Sequence, residues 1–587
     1  MTALVEVLPY IRRHRARFLA GAACIAVEAT VSALAPLVVK FAVDALRSRA
    51  TWGTITAYAG ALLAVALVAA FFHYLQRMLV YDAARSVEAG LRHDLYARLV
   101  RQPPAWFDAF PTGDVLSRFT NDLRVVQMAL GPGARHALGT LATLVLAVAF
   151  MLWIDPLLTL MALLPLPAVS LVVKLMGQRI HRRSEEAQAA LANVTTAVQE
   201  NLAGLRVVRA HGREEAERIR FRGHSETYVS ANLRLIRIQA FLSPALTLLL
   251  GLSFLILLWL GGRRVATGAI TLGDFVAFTM YLGMVSWPMI AFGWIANLFQ
   301  RAAAAMGRLN RVLLAEAAID DQAADPAARI TRGTIAFRDV MFRYGPDRPP
   351  VLDRFTIEIP AGTTLGITGP TGGGKTTIAR LIARLYEPDT GRIEIDGRPI
   401  AEYPLAVLRA AIGFAPQEPF LFSETLAANL AFGQDGEPSA NGGRGQLEIE
   451  DAAAIAGLAD DVAEFPAGYD TMIGERGITL SGGQKQRAAL ARALLVEPKI
   501  LILDDAFSSV DTETEERILE RLRAFMADRT TILISHRAST LRAADRIVVL
   551  DDGRIVESGS PNDLAAADGF YAALRRRQRL EAEIERA

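Results

Sequence analysis

The octapeptide Gly-Pro-Thr-Gly-Gly-Gly-Lys-Thr at residues 369–376 predicts a phosphate-binding loop. It follows an apolar run that ends at Thr368 and precedes an apolar helical stretch, which is the strand–loop–helix setting of a P-loop. Glycines let backbone N–H groups converge on phosphate oxygens, the helix N-terminus adds partial positive charge, and the lysine supplies a full charge. Thr376 is also a candidate Mg²⁺ ligand. The residues expected at a bound nucleotide are Gly369, Thr371, Gly372, Gly373, Gly374, Lys375, Thr376 and Thr377.

A second part of the same site lies downstream, where the apolar run at residues 500–503 ends in Asp504 and Asp505. At the carboxyl end of a buried strand, Asp504 can reach the Mg²⁺ shell, and Asp505 lies where a water-activating base would sit. Short β-rich runs alternate with helical stretches from residue 331 onwards, which predicts an α/β domain with a largely parallel sheet over residues 331–587. Residues 434–446 are rich in Gly, Asn, Pro and Ser and are expected to form a flexible surface loop.

The composition of the chain limits the class of protein, and a compositional change marks a domain boundary. The 587 residues include 63 basic and 61 acidic side chains, and this balance argues against an overall basic nucleic-acid binder. The single cysteine, Cys24, excludes an intramolecular disulfide and cysteine-rich metal modules. Hydrophobic residues make up 52% of the chain, which favours membrane-embedded segments. An Ala/Asp/Pro-rich linker at residues 316–330 separates the α/β domain from a predicted transmembrane domain at residues 1–315.

The first half carries six runs long enough to cross about 30 Å of hydrocarbon as helices. Five contain a long stretch without Asp, Glu, Lys or Arg, and the first is interrupted by Glu28 and Lys40. Charge-free runs of this length are rare in soluble cores, so buried helices of a soluble protein are disfavoured. A cleaved signal peptide is disfavoured because Glu28 interrupts the run, which then continues past residue 36. The predicted spans are residues 18–43, 54–79, 137–154, 157–177, 241–262 and 271–300.

The flanking charges predict the orientation of these spans. Arg12, Arg13, Arg15 and Arg17 precede the first span and favour a cytoplasmic N-terminus. The long connections at residues 80–136 and 174–240 carry most of the Lys and Arg and keep helical periodicity, so we expect membrane helices that continue into the cytoplasm and turn back. Arg263 and Arg264 then lie on the outer side, against the positive-inside rule.

The pentapeptide Leu-Ser-Gly-Gly-Gln at residues 480–484 completes the pattern. Together with the P-loop and Asp504, it resembles the signature of ATP-binding cassette (ABC) exporters, and the similarity covers nearly the whole chain. It implies a multidomain membrane protein, in which an all-α six-helix transmembrane domain with long cytoplasmic extensions is followed by an α/β P-loop ATP-binding cassette domain. It also implies ATP and Mg²⁺ as cofactors, hydrolysis coupled to transport, and a multi-pass protein of a bacterial inner membrane with a cytoplasmic cassette.

The resemblance assigns roles to further residues. Tyr344 matches the aromatic residue that stacks on adenine, Gln417 the glutamine that contacts Mg²⁺, and His536 the switch histidine that contacts the γ-phosphate. Two cassettes of this family close head-to-tail, so the signature of one chain completes the ATP site of its partner. Residues 113–118 resemble the first cytoplasmic hairpin, residues 210–217 would hold the coupling helix of the second, and residues 509–511 resemble the loop that crosses between cassettes. The signature residues expected at the partner's ATP are Ser481, Gly482, Gly483 and Gln484.

One position departs from the family pattern. Active members carry glutamate after the Mg²⁺-binding aspartate, whereas this chain has Asp505, whose reach is shorter by one methylene, about 1.5 Å. A misplacement of about 1 Å can cost on the order of 10²-fold in rate, so we expect a site that binds ATP and hydrolyses it slowly. This resembles one half of a heterodimeric exporter whose partner is a second half-transporter chain. The alternatives are a homodimer that uses Asp505 as a weak base, and a nucleotide-gated channel or regulatory subunit.

The membrane half suggests a lipophilic substrate, such as a drug, a lipid or a peptide, in a setting of membrane lipids. Ionisable groups within spans are costly, and Glu28 is a candidate to meet a cationic substrate or a polar partner from the other subunit, with structural hydrogen bonding as the alternative. Lys40 and Asp44, four residues apart, are expected to pair on one helix face. Large, adaptable side chains suited to an apolar ligand, most of them expected to face lipid or other helices, are Met280, Tyr281, Met284, Trp287, Met289, Phe292 and Trp294.

Overall fold

The computed structural model describes residues 2–48, 51–434, 448–474, 477 and 480–586. Contacts divide the chain into two units. Unit 1 comprises Met1–Val100 and Thr112–Ala315, and unit 2 comprises Arg101–Pro111 and Glu316–Ala587. The short segment Arg101–Pro111 falls within the predicted transmembrane domain by its place in the sequence, but its contacts are with unit 2. The loop predicted at residues 434–446 lies outside the described residues except for Gln434.

Within the described part of unit 1, six helices are long and apolar enough to cross a membrane, which confirms the predicted number of spans. The 48 residues of the second extend about 72 Å at 1.5 Å per residue, far more than a bilayer requires. The predicted extensions beyond the membrane are therefore present. These helices, named span helices 1 to 6, are Arg15–Arg47, Trp52–Leu99, Thr112–Ile154, Pro156–Ala203, Glu214–Ala266 and Leu272–Leu313.

Short elements interrupt or precede the span helices. Helix Leu8–Arg13 precedes the first, and helix Leu205–Ala210 lies at the tip of the hairpin between the fourth and the fifth. Span helix 3 contains π-helical turns at Arg118–Asp122 and Ala129–Gly133, and span helix 5 contains one at Leu257–Gly261.

Small side chains let span helices 1 and 2 approach closely. A Cβ added at Gly21 would lie 2.5 Å from Val80 Cγ2, so a larger residue there would separate the two backbones. Close approach of small residues is a main source of helix association in lipid, where burial of apolar surface contributes little. Tyr281 of span helix 6 donates its hydroxyl proton to the Ala33 carbonyl at 2.7 Å, which satisfies a buried polar group.

The outer ends of span helices 1 and 6 are joined by a cluster of polar groups, named here the outer network: Lys40, Asp44, Thr271, Gly273 and Asp274. Lys40 Nζ lies 2.6 Å from Asp274 Oδ1. Asp44 accepts hydrogen bonds from Thr271 Oγ1 and from Gly273 N, both at 2.8 Å. The predicted pair of Lys40 with Asp44 is therefore wrong. The N-terminus of span helix 6 offers Asp44 backbone and hydroxyl donors, and Asp274 takes the ammonium.

Arg264, one of the two arginines at the outer end of span helix 5, pairs with a buried aspartate. Arg264 Nε lies 2.7 Å from Asp155 Oδ2, and Arg264 Nη2 donates to Asp155 Oδ1 at 3.1 Å. Asp155 is buried and also caps the helix Pro156–Leu163 by accepting from Leu158 N at 2.9 Å. The arginine charge is thus neutralised by a residue at the short connection between span helices 3 and 4.

Unit 2 contains an α/β core with ten strands in its described part. They are β1 (Ile335–Phe342), β2 (Leu352–Ile359), β3 (Thr364–Thr368), β4 (Thr390–Ile395), β5 (Arg398–Pro399), β6 (Ile412–Ala415), β7 (Ile500–Asp504), β8 (Thr530–Ile534), β9 (Arg546–Asp551) and β10 (Arg554–Gly559). The main sheet has the order β10-β9-β3-β8-β7-β6, and all its pairings are parallel except that of β10 with β9. This confirms the predicted α/β domain with a largely parallel sheet.

A second sheet, with the order β2-β1-β4-β5, is antiparallel throughout. The sequence pattern predicted one largely parallel sheet, and this second sheet was not predicted. Strand β2 alternates buried and exposed residues, as a sheet with one solvated face requires, whereas β3, β7 and β8 are buried along their whole length. The two sheets differ in this pattern because the antiparallel sheet is buried on one face, whereas the main sheet is buried on both.

The α-helices of unit 2, numbered within it, surround the two sheets. They are α1 (Pro104–Ala109), α2 (Lys375–Ile382), α3 (Leu405–Ala410), α4 (Leu426–Leu430), α5 (Ile449–Ile455), α6 (Ala459–Glu464), α7 (Gly482–Leu495), α8 (Thr512–Met526), α9 (Ala538–Leu541), α10 (Pro561–Ala566) and α11 (Phe570–Arg586). Strands β3, β8 and β7 are adjacent and parallel, so the loops after them meet at one edge of the main sheet. That edge carries the predicted phosphate site.

Candidate functional site

The loop between β3 and α2 has a backbone that its glycines alone can adopt. Gly369 has φ 141°, and a Cβ there would lie 2.0 Å from the Leu550 carbonyl oxygen. Gly374 has φ 97° and directly precedes the first residue of α2. Both positions lie in the region of φ that favours glycine. The loop therefore wraps tightly before α2 and presents the N-terminus of that helix to the edge of the sheet, as an anion site requires.

Lys375 is the cation of this loop. Its Nζ donates to the carbonyl oxygens of Gly369 at 3.0 Å and Pro370 at 2.7 Å, and the side chain is buried. Burial lowers the pKa of the Lys375 ammonium, while the nearby carboxylates of Asp505 and Asp504 act in the opposite direction. The positive charge is thus held within the curve of the loop and close to two carboxylates.

Thr376 and Asp504 form an oxygen pair beside the loop. Thr376 Oγ1 donates to Asp504 Oδ1 at 3.1 Å. Neighbouring ligands of an octahedral Mg²⁺ ion, each about 2.1 Å from the metal, lie about 3 Å apart, so the two oxygens fit adjacent positions of such a shell. Burial raises the pKa of Asp504 to about 6, with a further upward contribution from Asp505. A bound divalent cation would favour the ionised carboxylate again.

Asp505 follows β7 in a left-handed backbone conformation with φ 48°. Its N–H donates to the Ile534 carbonyl oxygen at 2.8 Å, which ties this turn to the end of β8. Strain of this kind in a residue other than glycine is typically found at functional sites. The backbone of Asp505 is therefore fixed by the sheet, and the reach of its carboxylate depends on the side chain alone.

His536 follows β8, the strand between β3 and β7. Burial lowers the pKa of His536, Lys375 adds to the decrease, and Asp505 opposes it. The imidazole is therefore neutral near pH 7 and lies within electrostatic range of both charged groups. The structure thus brings Lys375, Thr376, Asp504, Asp505 and His536 to the same edge of the main sheet.

Tyr344 lies beside the helix that follows the loop. Its hydroxyl is 3.0 Å from Thr377 Oγ1, and Arg380 Nη1 donates to it at 3.3 Å. The ring packs edge-on against Tyr386, with centroids 5.2 Å apart. Gln417 lies just beyond the end of β6, next to β7 in the sheet, and its side chain is exposed. Tyr344 thus lies beside the P-loop helix, and Gln417 follows the edge strand of the main sheet. Their roles at adenine and at Mg²⁺ stay predictions.

The signature pentapeptide leads into helix α7: Leu480 is buried, and Ser481 and Gly482, the N-cap and first residue of the helix, face solvent. Ser481 and Gln484 form a reciprocal capping box, with Gln484 N donating to Ser481 Oγ at 3.2 Å and Ser481 N donating to Gln484 Oε1 at 2.9 Å. Asp461 accepts from Gln484 Nε2 at 2.9 Å and lies 2.8 Å from Arg487 Nη1. The shape of the signature turn is thus fixed by local bonds.

Sequence reasoning missed Gln486, which joins the signature helix to the loop at residues 508–511. Its Nε2 donates to Ser508 Oγ at 2.6 Å, and its Oε1 accepts from Ser509 N at 2.8 Å. Its side chain is buried, and a lone glutamine in a helix gives no signal of this role in the sequence. Two predicted motifs, the signature and the loop after β7, are therefore connected by one amide.

The segment Arg101–Pro111 adds a contact that the sequence did not predict. Tyr386 donates its hydroxyl proton to Asp108 Oδ2 at 3.1 Å, and burial, together with this carboxylate, raises the pKa of Tyr386 to about 12. Because Tyr386 also packs against Tyr344, helix α1 is separated from the tyrosine beside the P-loop helix by a single side chain. Asp108 and Tyr386 are 278 residues apart in the chain.

Comparison with known proteins follows the same division of the chain. A family model described as the ABC transporter transmembrane region matches residues 18–289, and one described as ABC transporter matches residues 352–508. The multidrug resistance-like ATP-binding protein MdlA of Escherichia coli is 36% identical over 592 residues, which cover 100% of this chain and 98% of that protein. The ATP-dependent lipid A-core flippase of Chromohalobacter salexigens is 36% identical over 502 residues, covering 86% and 85%.

A solved structure described as a bacterial Atm1-family ABC exporter with ATP bound is also similar. Its TM-score is 0.78 at 30% sequence identity, and the alignment covers 97% of this chain and 99% of that one. The similarity therefore extends over both units in sequence and in fold.

Proposed function

The chain belongs to the ABC transporter family and is an ATP-driven exporter of the multidrug and lipid-flippase type, and from this premise we propose that it works as one half of a heterodimer whose own ATP site is slow. It is a multi-pass inner-membrane protein with a cytoplasmic nucleotide-binding unit. The observation that carries the proposal is the aspartate at position 505, directly after the Mg²⁺-binding position Asp504.

The backbone around Asp505 supports a slow site. A general base must come within about 2.6 to 3.2 Å of the water that it polarises. The left-handed turn at Asp505 and its hydrogen bond to Ile534 hold the backbone in place, so a side chain that is short by about 1.5 Å is not compensated by a shift of the main chain. His536 is retained, which favours slow hydrolysis over none.

The residues proposed to bind ATP and Mg²⁺ from this chain's side of the site are all present. Lys375 and the N-terminus of α2 would bind the phosphates, and Tyr344 is proposed to hold the adenine. Thr376, Asp504 and Gln417 are the residues proposed to hold Mg²⁺, which when bound neutralises charge on the β- and γ-phosphates. The signature residues Ser481–Gln484 would complete the ATP site of the partner chain. The chain is thus proposed to bind ATP tightly and to serve the partner's hydrolysis.

The second cytoplasmic hairpin supports a partner chain. Around its tip, helix Leu205–Ala210, three apolar side chains are largely exposed: Leu202 at 68%, Leu205 at 43% and Val207 at 63%. Exposed apolar groups clustered in this way mark a protein contact. The segment Arg101–Pro111 of the first hairpin, by contrast, belongs to unit 2. We therefore propose that a second half-transporter chain covers the tip of the second hairpin.

The proposed substrate is a lipophilic molecule. The relatives are named for multidrug resistance and for a lipid A-core flippase, and span helix 6 carries exposed aromatic groups at Trp287, Phe292 and Trp294. Glu28 lies 4.0 Å from His73 Nδ1 and 3.5 Å from Ser32 Oγ, so its carboxylate has polar neighbours in span helices 1 and 2 of its own chain. Its contact with a substrate or with the other subunit stays a prediction. ATP-dependent accumulation of a fluorescent lipid and of a lipophilic dye in inside-out vesicles would distinguish the two substrate classes.

Purification of the tagged chain from its natural host tests the partner. We expect a second ABC half-transporter to copurify in a 1:1 ratio, and the chain expressed alone to show little ATPase activity. If the chain alone forms dimers with vigorous ATPase activity, the homodimer replaces the heterodimer as the proposal.

Replacing Asp505 by glutamate tests the reach of the carboxylate. Asp505→Glu should raise hydrolysis at this chain's own site, on the order of 10²-fold, because the added methylene brings the base to the water. Single-turnover hydrolysis of ATP bound to this chain measures the effect, and Asp505→Asn, which keeps the short reach and removes the charge, is the matched control. Unchanged turnover in Asp505→Glu would mean that reach does not limit the rate.

A further inference from the structure

The C-terminal helix α11 holds the backbone of the segment that carries His536. Gln578 Nε2 donates to the His536 carbonyl oxygen at 2.7 Å, and Ala538 N donates to Gln578 Oε1 at 2.8 Å. One side-chain amide thus bonds two backbone groups on either side of Arg537. We propose that Gln578 is a positioning residue for ATP hydrolysis, because it fixes the peptide that orients His536 towards the nucleotide. This inference rests on the proposed role of His536.

The position of Gln578 is itself set by packing. Tyr571 and Leu574 of α11 are buried in a cluster with Leu541, Ile547 and Val549, which belong to α9 and β9. Gln578 follows Leu574 by four residues and therefore lies on the same face of the helix, one turn further along. The first half of α11 anchors the helix, and the next turn delivers the amide to the switch segment.

The residues that follow His536 have a second anchor. Glu515 of α8 is fully buried and accepts hydrogen bonds from Arg537, Ser539 and Thr540. These bonds hold side chains after the histidine, whereas Gln578 bonds the carbonyl of the histidine itself. On the other side, Ser535 N donates to the Ile367 carbonyl oxygen at 3.1 Å, as part of the parallel sheet. Removing Gln578 would therefore free the His536 peptide while the flanking residues stay held.

The test replaces Gln578 by methionine, which keeps side-chain length and helix propensity and removes both hydrogen bonds. Arg579→Met, one position further on the exposed face, introduces the same residue without touching the switch segment. Both are measured in the full-length chain, reconstituted in nanodiscs as the dimer in which it purifies. Parallel measurements in the Asp505→Glu background make hydrolysis at this chain's own site large enough to resolve.

We expect Gln578→Met to lower kcat roughly 10-fold, since a loosened histidine spends much of its time away from the productive geometry. The ATP affinity should stay within about twofold, because the P-loop contacts do not involve α11. Amide hydrogen exchange at Ala538 should accelerate in Gln578→Met and stay unchanged in Arg579→Met, since the former removes its acceptor. A purely structural role for α11 would instead lower thermal stability and weaken ATP binding together.

A truncation pair gives an independent check. A chain ending at residue 580 keeps Gln578, and one ending at residue 576 loses it, while both keep the anchors Tyr571 and Leu574. The shorter chain should reproduce the kcat loss and the faster Ala538 exchange, and the longer chain should behave as wild type.

The variant His536→Ala distinguishes a failure of the role proposed for His536 from a failure of the role proposed for Gln578. If His536→Ala leaves turnover unchanged, the proposed role of His536 is wrong. If His536→Ala lowers turnover but Gln578→Met does not, or if Ala538 exchange is the same in Gln578→Met and wild type, the role assigned to Gln578 is wrong.

Discussion

The nucleotide site and the outer network are both small clusters of charged and hydroxyl groups, but they are built in opposite ways. At the nucleotide site, contiguous residues on adjacent parallel strands are brought to one edge by the backbone of the sheet. In the outer network, Asp44 and Gly273 are separated by 229 residues and meet only because two long helices pack side by side. Both clusters depend on tertiary structure, since Thr376 and Asp504 are 128 residues apart, but the first is built from short motifs that can be recognised in the sequence and the second is not.

This difference should appear in the size and kind of mutational effects. A site in which the backbone places charges for a ligand should lose function sharply when a charge is removed. A network in which charges pair with one another should lose stability moderately, and the loss should depend on which partner remains.

The largest effect is expected for Lys375→Ala. Removal of two charge-assisted hydrogen bonds to phosphate, at about 1.5 to 3 kcal/mol each, should weaken ATP binding on the order of 100-fold or more. Photolabelling of this chain with an azido-ATP analogue, resolved from its partner on a gel, measures the change. Lys499→Ala, which removes a partly buried lysine from the opposite end of β7, is the matched control and should leave labelling unchanged. Equal labelling of both variants would show that the loop does not depend on its lysine.

A tenfold loss of Mg²⁺-dependent ATP affinity is expected at acidic pH. Because the pKa of Asp504 is raised to about 6, protonation at pH 5 should weaken Mg²⁺-dependent ATP binding about tenfold relative to pH 7. Without Mg²⁺, the effect of acidic pH on folding stability is the opposite. The pKa of Asp504 is about 6 in the folded unit and 3.8 in the unfolded chain, so the folded unit binds this proton first. Stability therefore rises as the pH falls from above 6 towards 3.8.

The Mg²⁺ concentration that gives half-maximal labelling, measured across this range, checks the binding prediction. Asp504→Asn serves as the control, because its remaining pH dependence reports protonation of ATP alone. A profile that is the same with and without Asp504 would contradict the raised pKa.

The sequence predicted most of the first cluster and little of the second. Lys375, Thr376 and Asp504 could be found because the P-loop and the strand that ends in aspartate are short patterns with a fixed geometry. Lys40 and Asp274 could not be paired, since nothing in either helix indicates which helix lies beside it. The same reason hid Asp108 with Tyr386 and His536 with Gln578. The antiparallel sheet was, in contrast, visible in the alternation along β2 and was missed.

A moderate effect is expected in the outer network. Asp274→Asn should cost more stability than the double variant Lys40→Met with Asp274→Leu, because the single change leaves a partly buried ammonium without its partner. We expect a coupling energy of about 1 kcal/mol between Lys40 and Asp274. Denaturant unfolding in detergent of a separate cycle, Lys40→Met, Asp274→Asn and the double variant that combines these two changes, measures this coupling energy. The pair Lys40 and Asp44, predicted from the sequence alone, provides the control cycle and should show a smaller coupling. If its coupling is the larger of the two, the structural pairing is wrong.

The smallest effect is expected at Tyr386, which packs against Tyr344 beside the nucleotide site and also bonds Asp108, a residue distant in the sequence. Tyr386→Phe keeps the ring that packs against Tyr344 and removes the hydrogen bond to Asp108, an exposed carboxylate whose bond is worth about 0.5 to 1 kcal/mol. We therefore expect ATP affinity to stay unchanged and stimulation of ATPase activity by transported substrate to fall about threefold, because helix α1 loses its bond to the cassette.

Tyr403→Phe, which removes a tyrosine hydroxyl bonded to the Ile395 carbonyl elsewhere in unit 2, should leave stimulation unchanged. Asp108→Asn should behave like Tyr386→Phe, since both weaken the same bond. If Tyr386→Phe instead weakens ATP binding and leaves stimulation intact, then Tyr386 serves the nucleotide site through Tyr344, and α1 is held to the cassette by other contacts.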